Sequence, residues 1–181
     1  MFVNETKNDL DFNLKVAMRI GKKARITIGI AALVILLCGG IVLALELALL
    51  AEGESPDLFF AIVCLVLGVL FLAFFFAYKP FMRMLLKKNM RGKEGVVRNA
   101  FSEDGYEQTA TLNDGTASTT RGDYQSFIEC REYSDLWLLY LNKATVFGVS
   151  KSGMIEGTAE ELTAFFIGKF GPRYKTCFKR K

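Results

Sequence analysis

Apolar residues in this 181-residue chain crowd between positions 26 and 78, with polar and charged residues dominant on either side. Two runs in that stretch carry no charged side chain, 20 residues at 26–45 and 21 at 58–78. At about 1.5 Å of rise per residue, each spans roughly 30 Å as a helix, the thickness of a bilayer's hydrocarbon core. The second run holds 15 Leu, Ile, Val or Phe residues and the first holds 12. At roughly 0.3–0.6 kcal/mol each, the apolar residues of the second run favour insertion by about 5–9 kcal/mol, an upper bound because the scale applies at the bilayer centre. The pattern predicts a transmembrane hairpin over 26–78, with a first span at 26–48, an external loop at 52–57 and a second span at 58–78. A chain this short has too little other sequence to bury two helices that are apolar all round. With 25 residues before it, the first run is expected to be a retained span and not a removed leader.

Outside the hairpin the periodicity changes. Leu10, Leu14, Ala17 and Met18 recur at helical spacing, with Lys15, Arg19, Lys22 and Lys23 on other faces. This predicts a partly helical, amphipathic N-terminal segment over 1–25. From Glu94 onward short strand patterns follow one another: 96–101, a Glu103-Asp104-Gly105 turn, 106–112, an Asn113-Asp114-Gly115 hairpin signal, 116–121, a stretch through Tyr124, Phe127, Ile128 and Cys130, then 136–141, a turn at Asn142-Lys143, and 144–149. Their close spacing predicts an antiparallel meander. Thr158 with Glu161 makes a capping box, Leu162, Phe165, Phe166 and Phe170 an apolar stripe, and Gly171-Pro172 a stop. A lone helix with such a stripe must pack on the sheet. The expected fold is therefore a membrane α-helical hairpin plus a small α+β domain at 94–171, an antiparallel pleckstrin-homology-like barrel or sandwich of about six strands capped by a C-terminal helix.

Charge adds an orientation. Lys7, Lys15, Arg19, Lys22, Lys23 and Arg25 precede the first span, and Lys79, Arg83, Lys87, Lys88, Arg91 and Lys93 follow the second. The connection holds Glu46, Glu52, Glu54 and Asp57, turn residues Gly53 and Pro56, and no Lys or Arg. The positive-inside rule then puts both chain ends in the cytoplasm of a multi-pass cell-membrane protein. Glu46 sits at the outer end of its helix, within a turn of water. Gly40, Ala44 and Ala48 repeat every fourth position, which would let a second helix approach, and Cys64 with Gly68 offers a matching patch on the second span. Past Pro80, residues 79–93 form a basic juxtamembrane segment, and 172–181 a basic tail interleaved with Tyr174 and Phe178. Lys87, Lys88, Arg91, Arg173, Lys175, Lys179, Arg180 and Lys181 are the candidates for contact with anionic lipid.

The stretches YQSFIECRE at 124–132, LWLLYL at 136–141, Lys151 and GTAEEL at 157–162, together with TKNDLDF at 6–12, resemble the YcxB-like family. That resemblance implies two membrane helices joined to a cytoplasmic domain related to pleckstrin-homology folds, and it implies no activity.

Chemistry is sparse. The chain has no histidine, so the commonest general base and metal ligand is missing. No phosphate-binding GxxxxGK[ST] loop, CxxC pair or nucleic-acid reading module occurs. Cys38 and Cys64 read as apolar filler. The acids Glu129, Glu132 and Asp135 read as solvated strand-turn carboxylates, and Ser150-Lys151-Ser152 reads as a turn and not a Ser–Lys nucleophile. Arg121-Gly122-Asp123 reads as a turn as well. No cofactor, catalytic residue or metal ligand is expected. The leading expectation is a membrane-anchored, non-catalytic binding or regulatory module with a protein partner at the inner leaflet. The alternative is an oligomeric pore or transport accessory built from copies of the chain, with Glu46 near its mouth.

Overall fold

The computed structural model describes residues 1–51, 55–142 and 145–178. Glu52, Gly53 and Glu54 of the expected loop, Lys143 and Ala144 of an expected turn and strand start, and Lys179, Arg180 and Lys181 of the tail lie outside the described residues. The chain runs β1 (Phe2–Asn8), α1 (Leu10–Ile20), α2 (Lys22–Ala51), α3 (Phe59–Asn89), β2 (Gly95–Phe101), β3 (Tyr106–Leu112), β4 (Ala117–Gly122), β5 (Glu129–Glu132), β6 (Leu136–Tyr140), β7 (Val146–Ser150), β8 (Met154–Glu156), α4 (Ala159–Phe170) and β9 (Tyr174–Thr176). It divides into two units, Ala17–Leu86 and a second made of Met1–Val16 with the chain from Lys87 onward.

The first unit is the helical pair α2 and α3. Both helices have the length and hydropathy to cross a membrane, and only 11% of the most apolar window of each is buried, unlike the core helix of a soluble protein. α3 runs unbroken through Pro80, which is tolerated because only one helical hydrogen bond is forfeited, so the basic segment at 79–89 continues the helix. Among the buried and half-buried positions of α2, Arg25, Gly29, Ala32, Leu36, Gly39, Leu43 and Glu46 recur in alternating steps of four and three, with Ile28, Ile35 and Val42 half-buried beside them. On α3 the same rhythm runs through Ala61, Leu65, Gly68, Leu72 and Phe75, with Cys64 half-buried beside it. A Cβ added to Gly39 would lie 3.0 Å from the Cβ of Cys64, and one added to Gly68 would lie 2.6 Å from Leu36 Cγ.

The expected packing face at Gly40, Ala44 and Ala48 is corrected by this seam. All three are exposed, and a Cβ on Gly40 would meet nothing within 4 Å. At about 100° per residue a four-residue repeat drifts some 40° per step around the helix, whereas a seven-residue repeat drifts only about 20° in the opposite sense. The Ala32–Gly39 register therefore follows a partner helix for longer. At the far end Glu46 Oε2 accepts a hydrogen bond from the Asp57 amide at 2.9 Å, so this carboxylate caps the connection.

The second unit corrects the expected domain boundaries, because the N-terminal residues belong to the same fold as the C-terminal half. Two sheets form, one ordered β4-β3-β2-β1-β8 and the other β7-β6-β5-β9. β1 is an interior strand, paired antiparallel with β2 from Phe2↔Phe101 to Asn8↔Gly95. The β2–β3 and β3–β4 hairpins turn where the sequence places them; Gly115 adopts φ +86°, and Asp114 Oδ1 accepts from the Thr116 amide at 2.9 Å. A continuous meander is not observed: the chain leaves the first sheet after β4, and β9 lies parallel to β5. β1 also ties the two sheets. Asn4 Nδ2 donates to the Ser150 carbonyl at 2.7 Å, and the Ser150 amide donates to Thr6 Oγ1 at 3.0 Å, with both side chains of β1 buried.

The capping box of α4 forms, with the Glu161 amide donating to Thr158 Oγ1 and the Thr158 amide to Glu161 Oε2. Leu162, Phe166 and Phe170 of α4 meet Phe101, Phe127, Trp137 and Leu139 in the main core. The other face of β6, Leu136, Leu138 and Tyr140, is covered by Phe12 and Val16 of α1. Burial on both faces explains why this strand reads as an uninterrupted apolar run. The amphipathic helix expected within 1–25 thus has a definite function in the fold, and a strand precedes it.

Gly68→Leu is expected to lower the melting temperature of the detergent-solubilised protein, since overpacking of a tight contact costs about 1–3 kcal/mol. Gly40→Leu should melt like the wild type, and equal effects of the two substitutions would refute the seam.

Candidate functional site

Inward positions of β5 are Cys130 and Glu132. Cys130 lies in the apolar core, where burial pushes its thiol well above the ordinary value and keeps it a neutral, unreactive filler. Glu132 stands where that core ends, beside the first turns of α4, and its side chain is only 3% exposed. Lys151 enters from the turn after β7, where its amide donates to the Asp135 carbonyl at 3.0 Å. Its Nζ lies 2.6 Å from Glu132 Oε1, 5.1 Å from the centre of the Trp137 ring and 5.0 Å from that of Phe178. Thr163 Oγ1 of α4 approaches Glu132 Oε1 at 3.5 Å, and Thr176 Oγ1 of β9 approaches Oε2 at 3.4 Å. Burial pushes the nearby Tyr174 hydroxyl well above its ordinary value, and the Glu132 carboxylate adds to the rise.

Glu132, Lys151 and Thr163 border an open cavity of about 520 Å³, together with Ser134, Glu160 and Phe178. A buried ion pair is weak evidence for stability, because desolvating two charges offsets most of their attraction. A cleft holding a desolvated acid and base, an aromatic side chain and hydroxyls is instead the default place to look for binding.

Glu129, the other acid of β5, faces the opposite way. Its carboxylate pairs with Arg131, and Oε2 lies 2.6 Å from Lys175 Nζ of β9. Burial pushes the Glu129 carboxyl up, but the hydrogen bonds from Lys175 and Arg131 outweigh it and hold it below its ordinary value.

The expectation of solvated strand-turn acids is therefore corrected: Glu132 is buried and paired, Glu129 is mostly buried and paired, and Asp135 bridges to Lys15 of α1 at 3.0 Å. Tertiary pairing, invisible to local pattern, makes the difference. Lys151 is directed to Glu132 and the hydroxyls of Ser150 and Ser152 lie 3.0 Å from each other. Among the described residues, no three Asp, Glu or Cys side chains gather as metal ligands.

The basic candidates do not form one cluster. Lys87 and Lys88 are exposed in the last turn of α3, where cations suit the helix dipole, and Arg91 is exposed just beyond. Arg173 is committed to the fold, donating from Nη1 to the Phe127 carbonyl at 2.6 Å and lying over the Phe170 ring. Lys175 is committed to Glu129. The tail expected at 172–181 thus begins as a built element, β9. On the helical pair, Cys64 lies against Gly39 and Gly68 against Leu36.

The fold and site define a two-unit chain, a pair of long apolar helices inserted into a two-sheet domain with a charged cleft. No protein-family model, curated protein or solved structure matches it.

Lys151→Met should destabilise the protein by about 3–5 kcal/mol, because the buried Glu132 is left without its cation; chemical denaturation of Lys151→Met against the double variant Lys151→Met/Glu132→Gln measures this, and the double variant should recover most of the loss. Glu129 supplies a pH test. Because its folded value lies below its unfolded one, its contribution is present above the ordinary carboxylate range and is lost as pH falls through the folded value. Glu129→Gln should therefore melt lower than the wild type at pH 7, and the gap should close as the pH is taken below about 4.

Proposed function

We propose that this chain is an integral membrane protein whose hairpin anchors a pleckstrin-homology-like domain at the cytoplasmic face of the cell membrane, and that the domain is a non-catalytic binding or regulatory module for a protein partner on the inner leaflet. The observation that carries this reading is the pairing of β1 with β2 along all seven residues of each strand. These strands flank the helical pair in sequence, so a folded domain requires the chain to return to the side it left. Two crossings satisfy that requirement, and one does not.

The basic residues on both flanks and the acidic connection then favour the cytoplasm for the domain. The large exposed apolar side chains of α2 and α3, among them Leu33, Leu37, Ile41, Phe60, Val66 and Phe76, suit contact with lipid tails. The resemblance to YcxB-like proteins points the same way. Confinement to a surface raises the effective concentration of a module for its neighbours there, and the Glu132–Lys151 cleft supplies the domain with a recognisable site.

Two measurements test this. In a chain whose Cys38 and Cys64 are replaced by alanine, Ser55→Cys should react with an impermeant thiol reagent in intact cells, and the exposed Cys177 should react only after permeabilisation; the reverse pattern overturns the topology. Photo-crosslinkers placed around the cleft of the full-length protein in native membranes should capture a specific protein. A folded domain that captures neither protein nor lipid overturns the module.

A further inference from the structure

β9 is the least embedded strand of its sheet. It has three residues, and Lys175 and Thr176 are exposed, whereas β6 beside β5 is buried at every position. Gly171, at φ +51°, and Pro172 separate it from α4, whose last residue Phe170 is held in the core. Arg173 is fastened to the Phe127 carbonyl, so everything beyond it can lift away without disturbing the helix. Short, exposed edge elements are the first to open in a folded protein.

The surface under β9 is specific. Its three residues pair in parallel with Cys130, Arg131 and Glu132, and the Cys177 amide extends the ladder to the Glu132 carbonyl at 2.8 Å. Tyr174 packs against the core, Lys175 meets Glu129, Thr176 meets Glu132 and Phe178 lies against Lys151. Two carboxylates thus flank the β5 edge, Glu132 on its inner face and Glu129 on its outer face, and Glu160 borders the cavity beside Glu132. A strand that supplied an aromatic residue, a cation, a hydroxyl and, two places on, a second aromatic would reproduce every one of these contacts.

We infer that the edge of β5 beside α4 is a strand-docking groove, that β9 is its resident occupant, and that the partner's recognition element is an extended basic and aromatic peptide that replaces β9 parallel to β5. Main-chain pairing supplies affinity in such strand addition, and the alternate side chains supply selectivity. A resident strand lowers the partner's apparent affinity by the fraction of molecules in which the groove is open, which makes β9 autoinhibitory. This inference rests on reading the domain as a binding module.

The test uses the full-length protein in phosphatidylcholine nanodiscs and a fluorescent peptide, Arg-Tyr-Lys-Thr-Ser-Phe, which copies 173–178 with serine in place of the cysteine. Lys175→Glu sets β9 against Glu129 and leaves the groove intact, so it should bind the peptide at least tenfold more tightly than the wild type by fluorescence anisotropy. Phe178→Ala should shift affinity in the same direction, and serves alone if Lys175→Glu does not keep the β6 amides protected from hydrogen exchange. Saturating peptide should deprotect the amides at 174–177 while β6 stays protected. Peptide affinity unchanged by both variants, or no peptide binding at all, overturns the inference, as does deprotection of β9 on phosphatidylglycerol nanodiscs without any effect of peptide. A partner that cross-links to the domain away from β5 and α4 overturns this inference and leaves the binding module standing.

Discussion

The pairing of β1 with β2 constrains the rest of the molecule. The strands meet from Phe2↔Phe101 to Asn8↔Gly95, so two segments some 87 positions apart in sequence become neighbours in an interior ladder. Closing a flexible loop of that length costs on the order of 4 kcal/mol in chain entropy. The helices α2 and α3 leave fewer flexible residues in that loop. A Cβ on Gly21 would fall 2.3 Å from the Tyr78 hydroxyl, so the two helices lie close together near these ends. In sequence the hairpin is thus an insertion between two parts of one domain. β1 could not be dispensed with, because its Asn4 and Thr6 join the first sheet to Ser150 in the second.

From that ladder the position of α1 follows. The chain leaving β1 must reach the helical pair, and α1 takes it across β6, where Phe12 and Val16 cover Leu136, Leu138 and Tyr140. A Cβ on Gly148 would lie 2.9 Å from both Phe12 Cζ and Val16 Cγ2, so the helix sits close to the neighbouring strand as well. The domain accordingly has two apolar layers, one under α4 and a smaller one under α1, and each needs a different end of the chain.

What the sequence made legible was local. Uncharged runs, the Asn113-Asp114-Gly115 turn and the Thr158–Glu161 box each act through neighbours a few residues away, and each formed. β1 was not legible because two of its three buried side chains are Asn4 and Thr6, so period-two hydrophobicity was erased by the polar groups that tie the two sheets together. β9 was not legible because three residues carry no period and its parallel partner lies 44 positions earlier. The helix seam was missed by one position. Two small-residue repeats coexist on α2, and only the partner helix distinguishes Gly39 from Gly40. Glu132 looked like its neighbours Glu129 and Asp135, and only the approach of α4 and of the turn after β7 makes it a buried charge.

That buried charge is where separate parts of the fold converge. Glu132 is the last residue of β5, Lys151 follows β7, Thr163 belongs to α4 and Thr176 to β9. Apolar residues of similar volume could fill the same space without a desolvation cost. They would also hold β9 equally well in any register, since apolar contact is not directional. A carboxylate with two oxygens, one turned to a cation and one to a hydroxyl, instead requires the strand above it to present particular groups at particular positions. The pair therefore gives the groove a selectivity that an apolar floor would lack, beside a cavity open to solvent.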